Sequence, residues 1–277
     1  TAYIDTLVVL IKIMEQEKIK VDKLTLEKIT KEAVIRFLDW LQHERKCSNS
    51  TRNARLAAIH SFFNYVQYQH PENLYEYQKI LSIKIKKTEK ASMNYLSIDG
   101  IRLLLQQPDI DTTKGRRDIA LLSLMYDTGS RVQELIDITP CMIRFDKPST
   151  IRITGKGKKM RIVPLLEEQV NLLKNYMTEH KLLEPYAGMY PLFCNSRREK
   201  LTRAGVNYIL LKYAARAKLK DSKLIPEKIS CHSLRHSKAM HLLHAGVNLI
   251  YIRDILGHVS VQTTEIYARA DSRKQRE

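Results

Sequence analysis

The sequence predicts a mainly α-helical chain with one small β-hairpin. It divides into a helical first domain (1–83), a basic linker (84–92) and a mixed α/β second domain (93–277). Three observations carry that expectation. Apolar residues recur at helical spacing through residues 1–80 and again beyond residue 117. One stretch, 142–165, changes to a strand pattern. Between the halves runs Ile83-Lys84-Ile85-Lys86-Lys87-Thr88-Glu89-Lys90-Ala91-Ser92, short, basic and without long apolar periodicity. At 277 residues the chain can bury a substantial core and divides most simply into two domains.

In the first domain, Leu7, Leu10, Ile11 and Met14 mark one helix, and Ala33, Phe37, Leu38 and Leu41 a second with Thr30 as its N-cap. A third fits Ser50 to Gln69, with Leu56, Ile59, Phe63 and Val66 as its apolar stripe. Its opening, Asn49-Ser50-Thr51-Arg52-Asn53-Ala54-Arg55, puts basic and amide side chains beside free backbone amides. Thr51, Arg52, Asn53 and Arg55 therefore suit phosphate contacts, with a merely solvated helix start as the competing reading. The linker lysines Lys84, Lys86 and Lys87 would cross a duplex backbone, or else belong to an ordinary exposed connector.

In the second domain, Ser97 caps a helix entry at Tyr95–Ile101. An apolar helix over Arg117–Tyr126 breaks at Thr128-Gly129, and another begins near Arg131. Thr150–Thr154 and Met160–Pro164 read as strands around Gly155-Lys156-Gly157-Lys158-Lys159. Helices are expected over Glu167–Glu179, Arg203–Ala217, Leu234–Leu243 and Leu249–Leu256.

Charge sets the partner class. Lys and Arg number 47 against 30 Asp and Glu, a net +17, of which +5 lies within 1–88 and +12 beyond. That balance favours a polyanion, nucleic acid well ahead of a membrane. No apolar run is long enough to span a bilayer and no signal peptide is visible. The four dispersed cysteines form no CxxC pair, which points away from a zinc knuckle and towards a reducing, cytoplasmic setting. Cys231 beside His232 reads as structural, because adjacent side chains do not ordinarily meet as a nucleophile and its base.

The candidate chemistry lies at turns and helix ends. Arg131 follows Gly129-Ser130 and can grip a phosphoryl oxygen with two nitrogens, or form a local salt bridge with Glu134. Lys156, between two glycines, could reach into a groove, where a lysine can protonate a leaving alkoxide; alone it is equally an exposed turn residue. His232 and Arg235, three apart, share a helix face, while His236 is assigned to packing by its adjacent spacing. His258 sits where the chain turns after Leu256-Gly257, and Tyr267 follows nine residues later.

Together Thr128-Gly129-Ser130-Arg131-Val132-Gln133-Glu134-Leu135, Gly155-Lys156-Gly157-Lys158-Lys159-Met160-Arg161-Ile162-Val163-Pro164, His232-Ser233-Leu234-Arg235-His236 and Leu256-Gly257-His258 … Tyr267 resemble the tyrosine recombinase (phage integrase) family over roughly 93–270. Asn49 to Tyr68 resembles that family's helical core-binding domain. One departure is Ser130, where the family usually has an apolar residue.

The resemblance implies a site-specific DNA recombinase or integrase. Arg131 and Arg235 would clamp the scissile phosphate and Lys156 would protonate the departing 5′ oxygen. His232 would assist proton transfer at the tyrosine or hold the phosphate, and His258 would donate to a non-bridging oxygen. Tyr267 would attack, forming a 3′-phosphotyrosyl enzyme, with Glu134 in support and Lys158 and Lys159 as further DNA contacts. Strand exchange would pass through a Holliday junction and need no cofactor, metal or ATP. The implied partners are double-stranded recombination sites, a homo-tetramer on two paired duplexes, and accessory DNA-bending or directionality factors, with no membrane. The biological setting would be prokaryotic and nucleoid-associated, in integration, transposition of a mobile element or chromosome-dimer resolution. The family's C-terminal segment docks on a neighbouring subunit; with ten residues after Tyr267, that contact is expected to be reduced, absent or replaced. Two alternatives remain at this stage: a type IB topoisomerase-like nicking and resealing enzyme, and a non-catalytic DNA-binding protein.

Overall fold

The computed structural model describes residues 2–16, 25–88 and 93–274. The chain forms two compact units, Thr1–Ala91 and Ser92–Glu277.

In the first unit α1 (Ala2–Gln16), α2 (Lys31–His43), α3 (Asn49–Gln69) and α4 (Leu74–Leu81) enclose one core that includes Leu10, Val34, Phe37, Leu56, Ile59, Phe63 and Ile80. Thr30 caps α2 by accepting from the Ala33 amide, as expected, and Ser48 caps α3 from the Thr51 amide. On α1 the buried face runs through Thr6, Leu10, Ile13 and Met14, so Leu7 and Ile11 of the anticipated stripe are only half-buried. Helical spacing also carries the α3 stripe back one turn from Leu56 to Arg52, which is buried.

The second unit is helical around a small sheet: α5 (Ile98–Leu105), α6 (Thr113–Thr128), α7 (Val132–Ile136), β1 (Ile143–Arg144), β2 (Thr150–Thr154), β3 (Met160–Pro164), α8 (Glu167–Glu179), α9 (Arg203–Lys220), α10 (Cys231–His244), α11 (Leu249–Leu256) and α12 (Gln262–Lys274). The sheet is antiparallel in the order β1-β2-β3, with Ile151 opposite Val163 and Ile153 opposite Arg161. Alternation turns Ile151, Ile153 and Val163 inward, and it places Arg161 on that inward face too. The main core gathers Leu121, Leu122, Leu124, Leu135, Ile151, Leu173, Phe193, Leu210 and Leu234. A smaller cluster, Ala239, Met240, Ile252, Leu256 and Tyr267, joins α10, α11 and α12.

The expected bounds of α8 and α11 match the structure, and Ser97 caps α5 by accepting from the Gly100 amide. Two differences bear on function. Helix α10 begins at Cys231, capped by Ser230, three residues before the expected start, so His232 and Arg235 lie within its first two turns. Helix α12, which carries Tyr267, has no counterpart among the expected helices. No helix among the described residues is long and apolar enough to cross a membrane.

Candidate active site

The site starts from a turn. Helix α6 ends on Gly129 in the left-handed region (φ 55°), where a Cβ would come within 2.6 Å of a Leu256 methyl, so the close approach of α11 requires glycine. The chain then places Arg131 in extended conformation at the start of α7. The Arg131 amide donates to Oε2 of Glu134 (2.9 Å) and its Nη1 donates to Oε1 (2.7 Å), leaving the guanidinium about one-third exposed. The sequence left a phosphate grip and this salt bridge as alternatives. Both fit, since the pair occupies one of five N–H donors and also orients the others.

Glu134 is buried and accepts a third bond, from Nη2 of Arg161 (2.7 Å), whose Nε donates to the Ile255 carbonyl (2.8 Å). One carboxylate thus ties α7 to β3, and Arg161 carries the tie to the end of α11. Burial pushes the Glu134 carboxyl up, but Arg161 and the Arg131 amide outweigh it and hold it below the ordinary range. Sequence reasoning passed over Arg161. Its signal was a charged residue at an inward-facing strand position, which demands a buried partner.

Arg235 is 4% exposed. Its Nη1 donates to the Gly129 carbonyl (2.6 Å) and its Nη2 to the Leu256 carbonyl (2.7 Å), fixing the guanidinium between the two turns. Three N–H donors remain. Burial, with Arg131 adding repulsion, pulls its pKa down to about 10, which leaves it charged at neutral pH. Three guanidiniums therefore act on one another across a single carboxylate, an excess of positive charge that suits an anion.

Tyr267 is 1% exposed on α12. Its ring lies parallel to the His258 ring (6.3 Å, 7°), and His258 Nδ1 is 2.9 Å from the Thr264 hydroxyl. Gly257, left-handed at φ 65°, makes the turn that brings His258 here; a Cβ there would meet Arg161 at 2.9 Å. The Tyr267 hydroxyl is raised above its ordinary value because burial outweighs the opposing charges of Arg235 and Arg131. Nearby positive charge favours the ionised form, but desolvation wins here. Burial, followed by Arg235, brings His258 down to about 4, so it is neutral.

His236, assigned to packing by its spacing, is half-buried and also makes a polar contact. Its Nδ1 lies 3.1 Å from the Tyr267 hydroxyl, while the exposed His232 ring sits 6.2 Å from that of His236. A helix covered on two sides can use adjacent residues, one facing the arginines and the next facing α12. Lys156 lies in the short 3-10 turn at 156–158, but its side chain is outside the described residues. Lys158 and Lys159 in the same tip are exposed. Cys231 is buried, and burial pushes its thiol up to about 11, in keeping with a structural role.

In the first unit the expected phosphate contacts divide. Arg52 is buried, contrary to a surface role, because it continues the core stripe of α3. Asn53 is committed to the linker: its Nδ2 donates to the Lys86 carbonyl (2.7 Å) and its Oδ1 accepts from the Lys86 amide (3.0 Å). Asn49 likewise donates to the Lys87 carbonyl (3.0 Å). The Arg55 Nη1 donates to Thr6 (2.9 Å), and Thr51 pairs with the Ser48 hydroxyl (3.2 Å). The side chains of Lys84, Lys86 and Lys87 are exposed. Their segment, expected as a linker that crosses a duplex backbone or is an ordinary exposed connector, is tied to α3 by Asn53 and Asn49 at the backbone of Lys86 and Lys87.

Ser130 is fully buried and its Oγ has no hydrogen-bond partner. Ser130→Ala should therefore stabilise the chain by about 1 kcal/mol, since it removes an uncompensated buried hydroxyl. Urea unfolding would measure this, and a loss of stability of that size would contradict it.

The family model described as "Phage integrase family" matches residues 94–274, and the one for its N-terminal SAM-like domain matches residues 1–70. The chain belongs to the phage integrase family. Among its relatives in that family is y4rC of Sinorhizobium fredii, named as an integrase/recombinase, 36% identical over 272 residues, 98% of this chain and 80% of the relative. The tyrosine recombinase XerC of Syntrophus aciditrophicus is 35% identical over 230 residues, 81% of this chain and 71% of that protein. Among solved structures, the XerH site-specific recombinase in a pre-cleavage complex with its difH substrate superposes with a TM-score of 0.67 at 28% identity, covering 88% of this chain and 68% of that one. This phage integrase family chain is accordingly a tyrosine recombinase, mostly helical with a small three-stranded sheet.

Proposed function

We infer that the chain is a site-specific DNA recombinase whose second unit cleaves and rejoins strands through Tyr267. The observation that carries this reading is the convergence of Arg131, Arg235, His258 and Tyr267 around one anion-receptive site, with the tyrosine ring parallel to His258 and within the field of both arginines. XerH bound to its difH substrate supports duplex DNA as the partner. The net charge of +17 supports it independently.

In this reading the free N–H groups of Arg131 and Arg235 hold the scissile phosphate, with Glu134 and the two carbonyls fixing their aim. His258 donates to a non-bridging oxygen. A neutral imidazole has one N–H, so this role requires the Thr264 hydroxyl to donate to Nδ1 and the ring proton to reside on Nε2. The Tyr267 oxygen forms the bond to phosphorus as the bond to O5′ breaks. Lys156 supplies the proton to O5′, and His232, facing solvent, helps remove the tyrosine proton. Arginines already in place stabilise the crowded phosphorane without reorganising. The phosphotyrosyl bond conserves the energy of the broken diester, so a 5′ hydroxyl from a second duplex reverses the reaction with a new strand, without metal or ATP. Two paired duplexes offer four strands, which implies four protomers. Thr51, Arg55 and the lysines at 84, 86, 87, 158 and 159 would add backbone contacts.

The test is a suicide-DNA trapping screen, using nicked duplex libraries and sequencing of captured junctions. The expected result is a covalent protein–DNA adduct at Tyr267, enriched for one sequence, with recombinant product from two copies of that site. Site-independent plasmid relaxation would favour a topoisomerase-like enzyme, and no adduct on any duplex would favour a DNA-binding protein without catalysis.

A further inference from the structure

We propose that His236 is a positioning residue for the nucleophile: its Nδ1 accepts the Tyr267 hydroxyl hydrogen and so fixes the direction in which the hydroxyl oxygen presents its lone pairs. The proposal rests on the recombinase reading and adds to it a residue that was given only a packing role by the sequence.

The geometry is specific. The Nδ1–Oη distance is 3.1 Å, within hydrogen-bond range, and the two rings meet at 58° with centroids 5.7 Å apart, so the contact is edge-directed rather than stacked. The His258 ring lies parallel to the tyrosine ring, with centroids 6.3 Å apart. Ring burial fixes Tyr267 about its side-chain torsions, but it leaves the O–H rotor free. A single acceptor at hydrogen-bond distance restrains that freedom. With the hydrogen committed to His236, the oxygen's remaining lone pair is turned away from α10, and the field of Arg235 and Arg131 acts on it.

Magnitudes decide between holding the hydroxyl and deprotonating it. Burial, with His232 and Arg235 adding to it, brings His236 down to about 4, while burial raises the Tyr267 hydroxyl above its ordinary value. The two shifts run in opposite senses, so transfer of the proton from Tyr267 to His236 is strongly uphill. His236 is a hydrogen-bond acceptor here, not the base. The proton leaves by another route once phosphate is bound.

The test compares His236→Leu, which removes the acceptor, with His236→Asn, whose Oδ1 can occupy the place of Nδ1. In the free protein, a 13Cζ-tyrosine label read by NMR, with Tyr267→Phe identifying the resonance, should shift in His236→Leu and return towards the wild-type position in His236→Asn. On a trapped duplex at saturating protein, His236→Leu should form the covalent adduct about 10- to 100-fold more slowly, the scale of loss expected for a slightly misplaced reacting group. His236→Asn should stay within about threefold of wild type, and the affinity of all three for intact duplex should agree within about twofold. An unchanged resonance in His236→Leu overturns the contact. Wild-type or faster capture by His236→Leu overturns the positioning role, as does equal slowing in both variants. Absence of an adduct with the wild-type protein defeats the recombinase reading itself, and is separable because the resonance test needs no DNA.

Discussion

Tyr267→Phe is expected to abolish covalent capture of DNA while leaving duplex affinity within about twofold of wild type, because most of that affinity comes from other phosphate contacts. The ring is the buried part: it completes the cluster of Ala239, Met240, Ile252 and Leu256, and phenylalanine keeps it. What is lost is the attacking oxygen and one hydrogen bond to His236, worth about 1 kcal/mol in folding. The adduct assay and a thermal melt separate the two effects. Residual capture at a measurable rate would assign the nucleophile elsewhere.

The two arginines should fail differently. Arg131→Ala removes a guanidinium that is about one-third exposed and held by one carboxylate. Its main effect should be a loss of cleavage of about a hundredfold or more at saturating protein, with little change in folding. Arg235→Ala should lose cleavage at least as severely and also unfold more readily. It strands the buried Gly129 and Leu256 carbonyls and opens the joint between α6 and α11. A destabilisation of about 2–4 kcal/mol follows from two unsatisfied buried acceptors. Arg235→Lys restores the charge but not the fork, and should rescue little. Equal losses of stability in the two alanine variants, measured by urea unfolding, would show that this assignment of the carbonyl joint is wrong.

Much of this site could be read from residue order alone, and the reasons are local. Glycine at 129 and at 257 marks left-handed turns, Ser97 and Thr30 mark caps, and alternation in Thr150–Thr154 marks a strand. Helix α12 could not be read in this way. Thr263 and Thr264 are poor helix formers and only a few apolar residues follow; the segment is ordered by Thr264 and Tyr267 burying against α10 and α11. His236 and Arg161 were missed for a related reason. Their partners, Tyr267 and Glu134, lie 31 and 27 residues away, and the pairing exists only after the elements have packed. Arg52 erred in the other direction: basic composition suggested a surface residue, while periodicity with Leu56 already placed it inside.

The single carboxylate among three guanidiniums also has a thermodynamic consequence for the fold. Glu134 neutralises only one of the charges on Arg131, Arg161 and Arg235, so the folded second unit carries an excess positive charge that the unfolded chain can disperse into solvent. A phosphodiester at this site would relieve that excess, and the site exists only when α6, α7, β3 and α11 are assembled. Its contribution to folding grows with ligand concentration as RT ln(1 + [L]/Kd), about 2.7 kcal/mol at a hundred times the dissociation constant. In the proposed function, DNA would stabilise this fold as well as being the molecule the protein cuts. The joint among α6, α7, β3 and α11 should be at its most rigid when a phosphate occupies it.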